Sequence, residues 1–578
     1  MKLMARLVLL PIADQIESGT YLLYDGACGT GGMLTVAEET LRELAAGHGK
    51  QVAAHLFGQE VNAETYAIAK ADFLLKGEGE AADNLIGGPE HSTLANDAFP
   101  SSEFDFMLSN PPYGKSWKSD LERMGGKASI RDTRFLIEHA DEPEYSLVTR
   151  SSDGQMMFLV NMLSKMKHAT KLGSRIAEVH NGSSLFTGDA GQGESNIRRW
   201  VIENDWLEAL IALPLNMFYN TGIATYVWVL TNCKPAHRRG KVQLIDATGW
   251  SVPLRRNLGK KNCGFSDQDI AHICDVFLKF EQTENSKIFD NPEFGYWKVT
   301  VERPLRLVSQ LTPKAIEVLQ FASGDEELRA QLYDEFGDAL WTNFKRIQTG
   351  LEERINEWGA EDEGDEDAGD SAPKKARLPE RRRRKLLDPR TWERDAALVD
   401  IATVLRRALG AELFMDHNVF RDQVDATLRK LGRKLTATDR RTILRAVSWR
   451  EEEAPPIIAK VHNPDTTNAD PLHGLYQIRR KDRTAVVEYE PDPELRDTEQ
   501  VPLTEPGGIE AFIRREVLAY TPDAWVDSGK TKKGYEISFA RYFYKSEPLR
   551  SLDEIRAEIF AIEKETEGLL TTILGGMI

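Results

Sequence analysis

Between Tyr21 and Asp246 short apolar runs recur along the chain, separated by segments whose apolar residues fall at helical spacing. The runs are YLLY (21–24), HLFG (55–58), FDFMLS (104–109), RIAEVH (175–180), LEALIAL (207–213), TYVWVL (225–230) and KVQLID (241–246). Strands alternating with amphipathic helices predict a doubly wound α/β sheet. The segment QMMFLVNMLSKMKHA (155–169) is one such helix, with its methionines as core filler. The opening MKLMARLVLLPIADQIESG imitates a signal peptide, but no small-residue cleavage site precedes the polar DQIES, so it reads as a helix of a cytoplasmic protein.

After about Cys263 the composition turns helical and charged, and SDQDIAHICDVFLKF opens on a Ser or Asp cap. The stretch EDEGDEDAGDSAPKKARLPERRRRK (361–385) joins an acidic block to a basic one with almost no apolar residue, the composition of a disordered linker. Helical patterns follow, then short strands from GLYQIRRKDRTAVVEYE onward. The last segment carries a capping box, Ser551 with Glu554, and an apolar stripe through Leu552, Ile555, Ile559, Ile562, Leu569 and Ile573 that requires a partner. The expected organisation is a catalytic domain over 1–250, a helical extension over 251–358, a disordered linker over 359–390, an α+β region over 391–548, and a docking helix over 549–578.

The 578 residues are too many for one core. No apolar run approaches the length of a membrane span. Cys28, Cys233, Cys263 and Cys274 are scattered without ligand spacing, against both a zinc site and a disulfide framework. A net charge of -17 counts against nucleic acid as a partner, unless a neighbouring subunit supplies the basic surface.

In YLLYDGACGTGG (21–32) a strand runs into an aspartate, a glycine turn and a helix. Gly29, Gly31 and Gly32 allow a ligand close to the backbone at the carboxyl end of a strand, where open α/β sheets bind nucleotides. It is not a dinucleotide fingerprint, and it lacks the lysine of a phosphate-binding loop. Glu60, after the second strand, is placed to accept from ribose hydroxyls, and Asp97, in LANDAF, from an adenine amine. Together they describe a pocket for an adenosine with a small cationic tail, such as S-adenosylmethionine.

The run FDFMLS ends on Asn110-Pro111-Pro112-Tyr113. The prolines fix the backbone, so the Asn110 side-chain oxygen and the Pro111 carbonyl converge on one point. Two preorganised acceptors suit an aromatic amine, whose delocalised lone pair they free by drawing the nitrogen toward tetrahedral geometry. Tyr113 offers a stacking face, and a base in a duplex reaches such a corner only when flipped out.

These motifs resemble those of amino-group DNA methyltransferases, specifically the methylation subunits of type I restriction-modification systems. DGACGTGG is similar to the cofactor motif and NPPYG to the catalytic motif; EVHNGSSLF (178–186), residues 197–230, WKVTVERPLRL (297–307) and KTKKGYEISFARYFY (530–544) resemble later blocks. The resemblance implies a Rossmann-like S-adenosylmethionine-dependent methyltransferase sheet with a helical C-terminal extension, and methyl transfer to adenine N6. It implies that Asp25, Ala27, Cys28, Gly29, Thr30, Gly31 and Gly32 line the methionine part of the cofactor. Glu60 then holds the ribose, Asp97 the adenine, and Asn110, Pro111, Pro112 and Tyr113 the target base. The implied partners are duplex DNA, a specificity subunit, a second methylation subunit and a restriction subunit, with the final helix docking on the specificity subunit. Gly26 stands where the family usually has proline, and MKLMARL opens inside the helix that follows the family's helical domain and aromatic-x-Thr-Pro-Arg loop. Methyltransferases acting on protein glutamine or on RNA guanine share a similar corner, and a scaffold subunit without activity is the non-enzymatic alternative.

Overall fold

The computed structural model describes residues 1–76, 79–219, 221–358, 378–480, 483–544 and 551–575. They form two units: Met1–Lys298 with Gln500–Gly508 and the segment from Lys532 onward, and Val299–Glu499 with Ile509–Thr531. No helix among the described residues is long and apolar enough to cross a membrane.

The first unit is built on nine strands: β1 (Gly19–Asp25), β2 (Val52–Glu60), β3 (Leu85–Gly87), β4 (Phe106–Ser109), β5 (Arg175–Asn181), β6 (Leu207–Leu213), β7 (Thr225–Thr231), β8 (Lys241–Asp246) and β9 (Ser286–Asp290). Their order across the sheet is β9-β8-β6-β7-β5-β4-β1-β2-β3. All neighbours pair in parallel except at β7, antiparallel to β5 and β6, and at the edge strand β9, antiparallel to β8. From β1 the chain builds outward to β2 and β3, then crosses back to β4 and β5. The order therefore reverses between β1 and β4, which leaves a crevice beyond their carboxyl ends.

The apolar runs are continuous because both sheet faces are covered. Every residue of β6 is buried. Alternate residues enter two cores. Leu23, Leu108, Val179, Ile211 and Val227 pack with α1 (Lys2–Leu9), α2 (Gly32–Gly47), α3 (Ala63–Leu75) and the later helix Asp267–Lys279. Tyr24, Met107, Ile176, Leu210 and Trp228 pack with α4 (Gln155–Leu163) and α5 (Gly193–Glu203). Met156, Met157, Met162 and Met166 are all in the second core. Each fully buried aliphatic side chain stabilises by about 1.5–3 kcal/mol, so the sheet centre is the rigid platform from which the loops project.

The late segment Lys532–Tyr544 returns to this unit. The fully buried Arg198 donates to the carbonyls of Tyr535 (2.6 Å), Ser184 (2.9 Å) and Thr187 (2.8 Å), while Ser195 Oγ accepts from Tyr535 N (3.1 Å). Tyr535, Ile537 and Phe539 join the second core.

Several expectations are corrected. The extension over 251–358 is not helical at its start: it opens with the hairpin Val252–Leu258 and Lys261–Gly264, then α6 (Asp267–Lys279) and β9, which belong to the first unit. Ser266 does cap α6, in a capping box with Asp269. The end of the basic half of the expected linker forms α8 (Glu380–Leu386), because Leu386 is buried beside Leu332, Leu351 and Trp392. Its acidic half, within residues 359–377, lies outside the described residues.

In the second unit, α7 (Glu326–Phe336) and α8 share that small core, and α9 (Pro389–Leu409), α10 (His417–Lys430) and α11 (Ala437–Ala446) enclose another around Leu398, Leu405, Phe420 and Ile443. Its strands include a three-stranded antiparallel sheet, Ile458–His462, Arg483–Tyr489 and Leu475–Arg480, and the antiparallel pair Leu307–Ser309 and Ser448–Arg450. The last element is α12 (Leu552–Gly575), opened by the Ser551 and Glu554 box.

Candidate active site

β1 ends at Asp25, and the chain turns through Gly26 to Gly31 before α2 begins. Gly31 caps α2 at φ 79°, and a Cβ there would lie 2.3 Å from the Phe73 ring; both the left-handed backbone and the space demand glycine. The turn is tied to the end of β2, with Cys28 N on Gln59 O (3.1 Å) and Gly29 N on Glu60 Oε2 (3.0 Å). Glu60 also accepts from Asn62 N (2.8 Å).

Asp25 is 2% exposed, and its Oδ1 accepts from Ser109 Oγ (2.7 Å) and Ala27 N (3.0 Å). Burial pushes its pKa up to about 7, against these two hydrogen bonds, which pull it down. Cys28 is buried, and burial raises its thiol well above the ordinary range, so it is a packed, unreactive side chain.

A cavity of about 660 Å³ occupies the crevice at the reversal of strand order. Asp25, Ala27, Cys28, Gly29, Thr30 and Gly32 line one side and Asn110 the other, with Val179, Leu213 and Val227 from neighbouring strand ends. Lys261 adds a cation to the wall.

Asn110 follows β4 directly and is exposed on that wall, whereas Pro111 is buried and Tyr113 half-buried. Tyr113 meets Phe218 edge to face, with ring centroids 6.4 Å apart, and burial raises its hydroxyl pKa. The corner is braced from behind. Gly114 N donates to Asp153 Oδ1 (3.1 Å), Gly154 N to Lys115 O (3.1 Å), and Trp117 Nε1 to Arg150 O (2.9 Å). The buried Gln155 amide donates to Asp153 Oδ2 (2.8 Å) and Asn181 Oδ1 (2.7 Å), which links the corner, α4 and β5 in one polar network. Deeper on β5, His180 Nε2 lies 3.0 Å from Glu178; burial raises Glu178 and lowers His180, favouring the neutral form of each.

The structure thus brings Asp25, Ala27, Cys28, Gly29, Thr30, Gly32 and Asn110 to one cavity, with Gly31 shaping the turn and Glu60 holding it. Pro111, Pro112 and Tyr113 form the corner without lining that cavity. Asp97 is not brought there: its carboxylate, 7% exposed, takes Lys165 Nζ (2.6 Å) and Phe99 N (3.0 Å). The acid that sequence spacing assigns to an adenine amine is therefore already engaged by a lysine just beyond α4. Phe218, Ser109, Asp153 and Gln155 escape sequence reasoning. Phe218 alone carries a local signal, an aromatic in the exposed apolar stretch after β6, where Leu215, Tyr219 and Ile223 stand in solvent.

The chain is similar to several known proteins. The MjaIX type I restriction enzyme methylase subunit of Methanocaldococcus jannaschii is 26% identical over 303 residues, 52% of this chain and 49% of that one. The HindI methylase subunit of Haemophilus influenzae is 25% identical over 277 residues, 47% of this chain and 54% of that one. The chain spans about half the length of these curated relatives. A solved methyltransferase subunit of a type I restriction-modification system from Streptococcus thermophilus aligns with TM-score 0.39 at 25% identity, covering 51% of this chain and 55% of that one. The model of N-6 DNA methylases matches residues 1–299, the segment that carries the whole sheet, the glycine turn and the asparagine corner; the chain belongs to the N-6 DNA methylase family.

Proposed function

We propose that this chain transfers the methyl group of S-adenosylmethionine to N6 of an adenine flipped out of duplex DNA, as the modification subunit of a type I restriction-modification system. The observation that carries the reading is the cavity shared by the glycine turn, Asp25 and Asn110. The residues of the glycine turn fit the methionine end of the cofactor, while Glu60, off the cavity wall, holds that turn in place. Bare glycine backbone admits a ligand, Asp25 has a second oxygen for a cationic group, and Glu60 stands at the Gly29 amide. Asp97, turned to Lys165, is left out of this assignment. When bound, the cofactor supplies an electrophilic methyl group.

The chain's own work is placement. The Asn110 side-chain oxygen and the Pro111 carbonyl accept hydrogen bonds from the target amine, which frees its lone pair for the new N–C bond. Tyr113 and Phe218 flank the base, and a base held there has left the duplex stack. The Asp153 and Gln155 network keeps the corner from relaxing.

The relatives' names, methylase subunits of type I restriction enzymes, support work within a multi-subunit enzyme; its other members in this proposal are a specificity subunit that reads the DNA, a second copy of this chain and a restriction subunit. The acidic net charge accords with recognition residing elsewhere. On α12, Leu552, Ile559 and Phe560 are exposed, an apolar face suited to docking on the specificity subunit. The test is transfer of labelled methyl to DNA by the chain with its specificity subunit. Transfer lost in Asn110→Ala with cofactor binding retained supports the proposal, and transfer to protein or RNA alone overturns it.

A further inference from the structure

In the second unit a cavity of about 450 Å³ opens between the start of α7 and the basic face of α8. Arg329 forms part of its wall. It is fully buried, gives one nitrogen to Asp395 (2.8 Å) and another to the Thr391 hydroxyl (3.2 Å), and lies 3.5 Å over the Trp392 ring; its Nε has no acceptor among the described residues. At Gly324 the wall is bare backbone, where a Cβ would stand 3.7 Å from Arg329 and 3.9 Å from Lys385.

Three cations of α8 already have partners among the described residues. Arg382 pairs with Asp325, Arg383 bonds Asn356 (2.7 Å), and Arg384 bonds Glu380 (3.1 Å). Arg381 and Lys385, one helical turn apart on the wall, remain exposed and without such partners among the described residues. The uncapped amino end of α7 faces the same space through Gly324 and Asp325, so its dipole adds to the two free cations. Glu326 and Glu327, in the first turn of α7, are not on the wall.

We infer that this cavity is a phosphate-binding site and that it takes a phosphate of the DNA backbone. The inference rests on the proposed DNA substrate. Residues 378–450, which include α8, hold eighteen Lys and Arg against ten Asp and Glu in a chain whose net charge is -17, so positive charge is concentrated in this part of the sequence. Backbone phosphates gather such charge irrespective of base sequence.

The experiment measures binding of the full chain, with its specificity subunit, to a DNA duplex from 50 to 200 mM salt. Arg381→Gln with Lys385→Gln alters two exposed side chains outside the catalytic cavity. Losing one phosphate contact weakens binding several-fold at low salt and reduces the slope of log affinity on log salt by about 0.9. Unchanged affinity and slope overturn the inference. Titration with inorganic phosphate separates the sources: phosphate binding lost in the variant while DNA affinity and slope stay as in the wild type assigns the site to free phosphate and overturns the DNA assignment. Because binding is read without methyl transfer, a changed slope in a complex that transfers nothing supports this site while refuting the proposed activity. Normal transfer with an unchanged slope does the reverse.

Discussion

Asp25 makes cofactor binding a pH-dependent event. Its carboxyl is buried at the end of β1, and its pKa rises from 3.8 to about 7, equivalent to about 4 kcal/mol against ionisation in the unliganded site. A cationic ligand beside the second oxygen offsets that penalty, so binding selects the ionised form and releases a proton below pH 7. If the carboxylate is required, affinity for S-adenosylmethionine at pH 6 is roughly tenfold weaker than at pH 7.5 and changes little above pH 8. The sign for stability is also set. Between about pH 4 and 7 the folded chain holds a proton that the unfolded chain has lost, so stability falls as pH rises through that window. Asp25→Asn removes both dependences, weakens the cofactor at pH 8 and leaves a flat profile. Equilibrium cofactor binding across pH, repeated in buffers of different ionisation enthalpy to count protons, reads the effect. Equal affinity at pH 6 and 7.5, or a slope that survives in Asp25→Asn, refutes the reasoning.

Four further outcomes are expected. Asn110→Ala lowers the methyl-transfer rate by about 10²–10³, the usual cost of removing one preorganised polar contact, while cofactor affinity stays within twofold. Gly31→Ala forces a left-handed backbone on a residue with a Cβ and presses it into Phe73; the strain and overpacking together destabilise by about 2–5 kcal/mol in a denaturant midpoint measurement and weaken the cofactor. Arg198→Ala orphans the Ser184 and Thr187 carbonyls at about 1–3 kcal/mol each and leaves the Tyr535 carbonyl the weaker Ser195 hydroxyl at 3.5 Å, and limited proteolysis then releases the segment from Lys532 onward. Ile559→Glu with Phe560→Glu on α12 abolishes co-purification with the specificity subunit while cofactor binding persists; retained association refutes the docking role.

The strands read from sequence are mostly those buried on both faces, such as β4, β5 and β6, where the apolar run is longest; β2, only partly buried, shows in sequence just its central HLFG. β3 and β9 were not legible: LIG is too short to stand out, and SKIFD, at the sheet edge, is only partly buried and mixes polar with apolar residues. The glycine turn and the asparagine corner were legible because each is a contiguous local device set by backbone constraints. The pairing of Asp97 was not legible because its partner, Lys165, lies 68 residues further on, and no local pattern announces a buried ion pair. α8 was hidden by its charge: one buried leucine, Leu386, anchors a helix whose sequence otherwise reads as linker. Asp153 and Gln155 reach the corner from the start of α4 and Phe218 from the loop after β6, two segments distant in sequence that only the topology brings together.

The most direct measurement combines the chain, its specificity subunit, duplex DNA and methyl-labelled S-adenosylmethionine, followed by digestion of the DNA to nucleosides and mass analysis. Label in N6-methyladenine, absent with Asn110→Ala, is the expected result. Label in cytosine, in protein or in RNA, or transfer undiminished by Asn110→Ala, contradicts the central claim that this corner holds a flipped adenine beside the methyl donor.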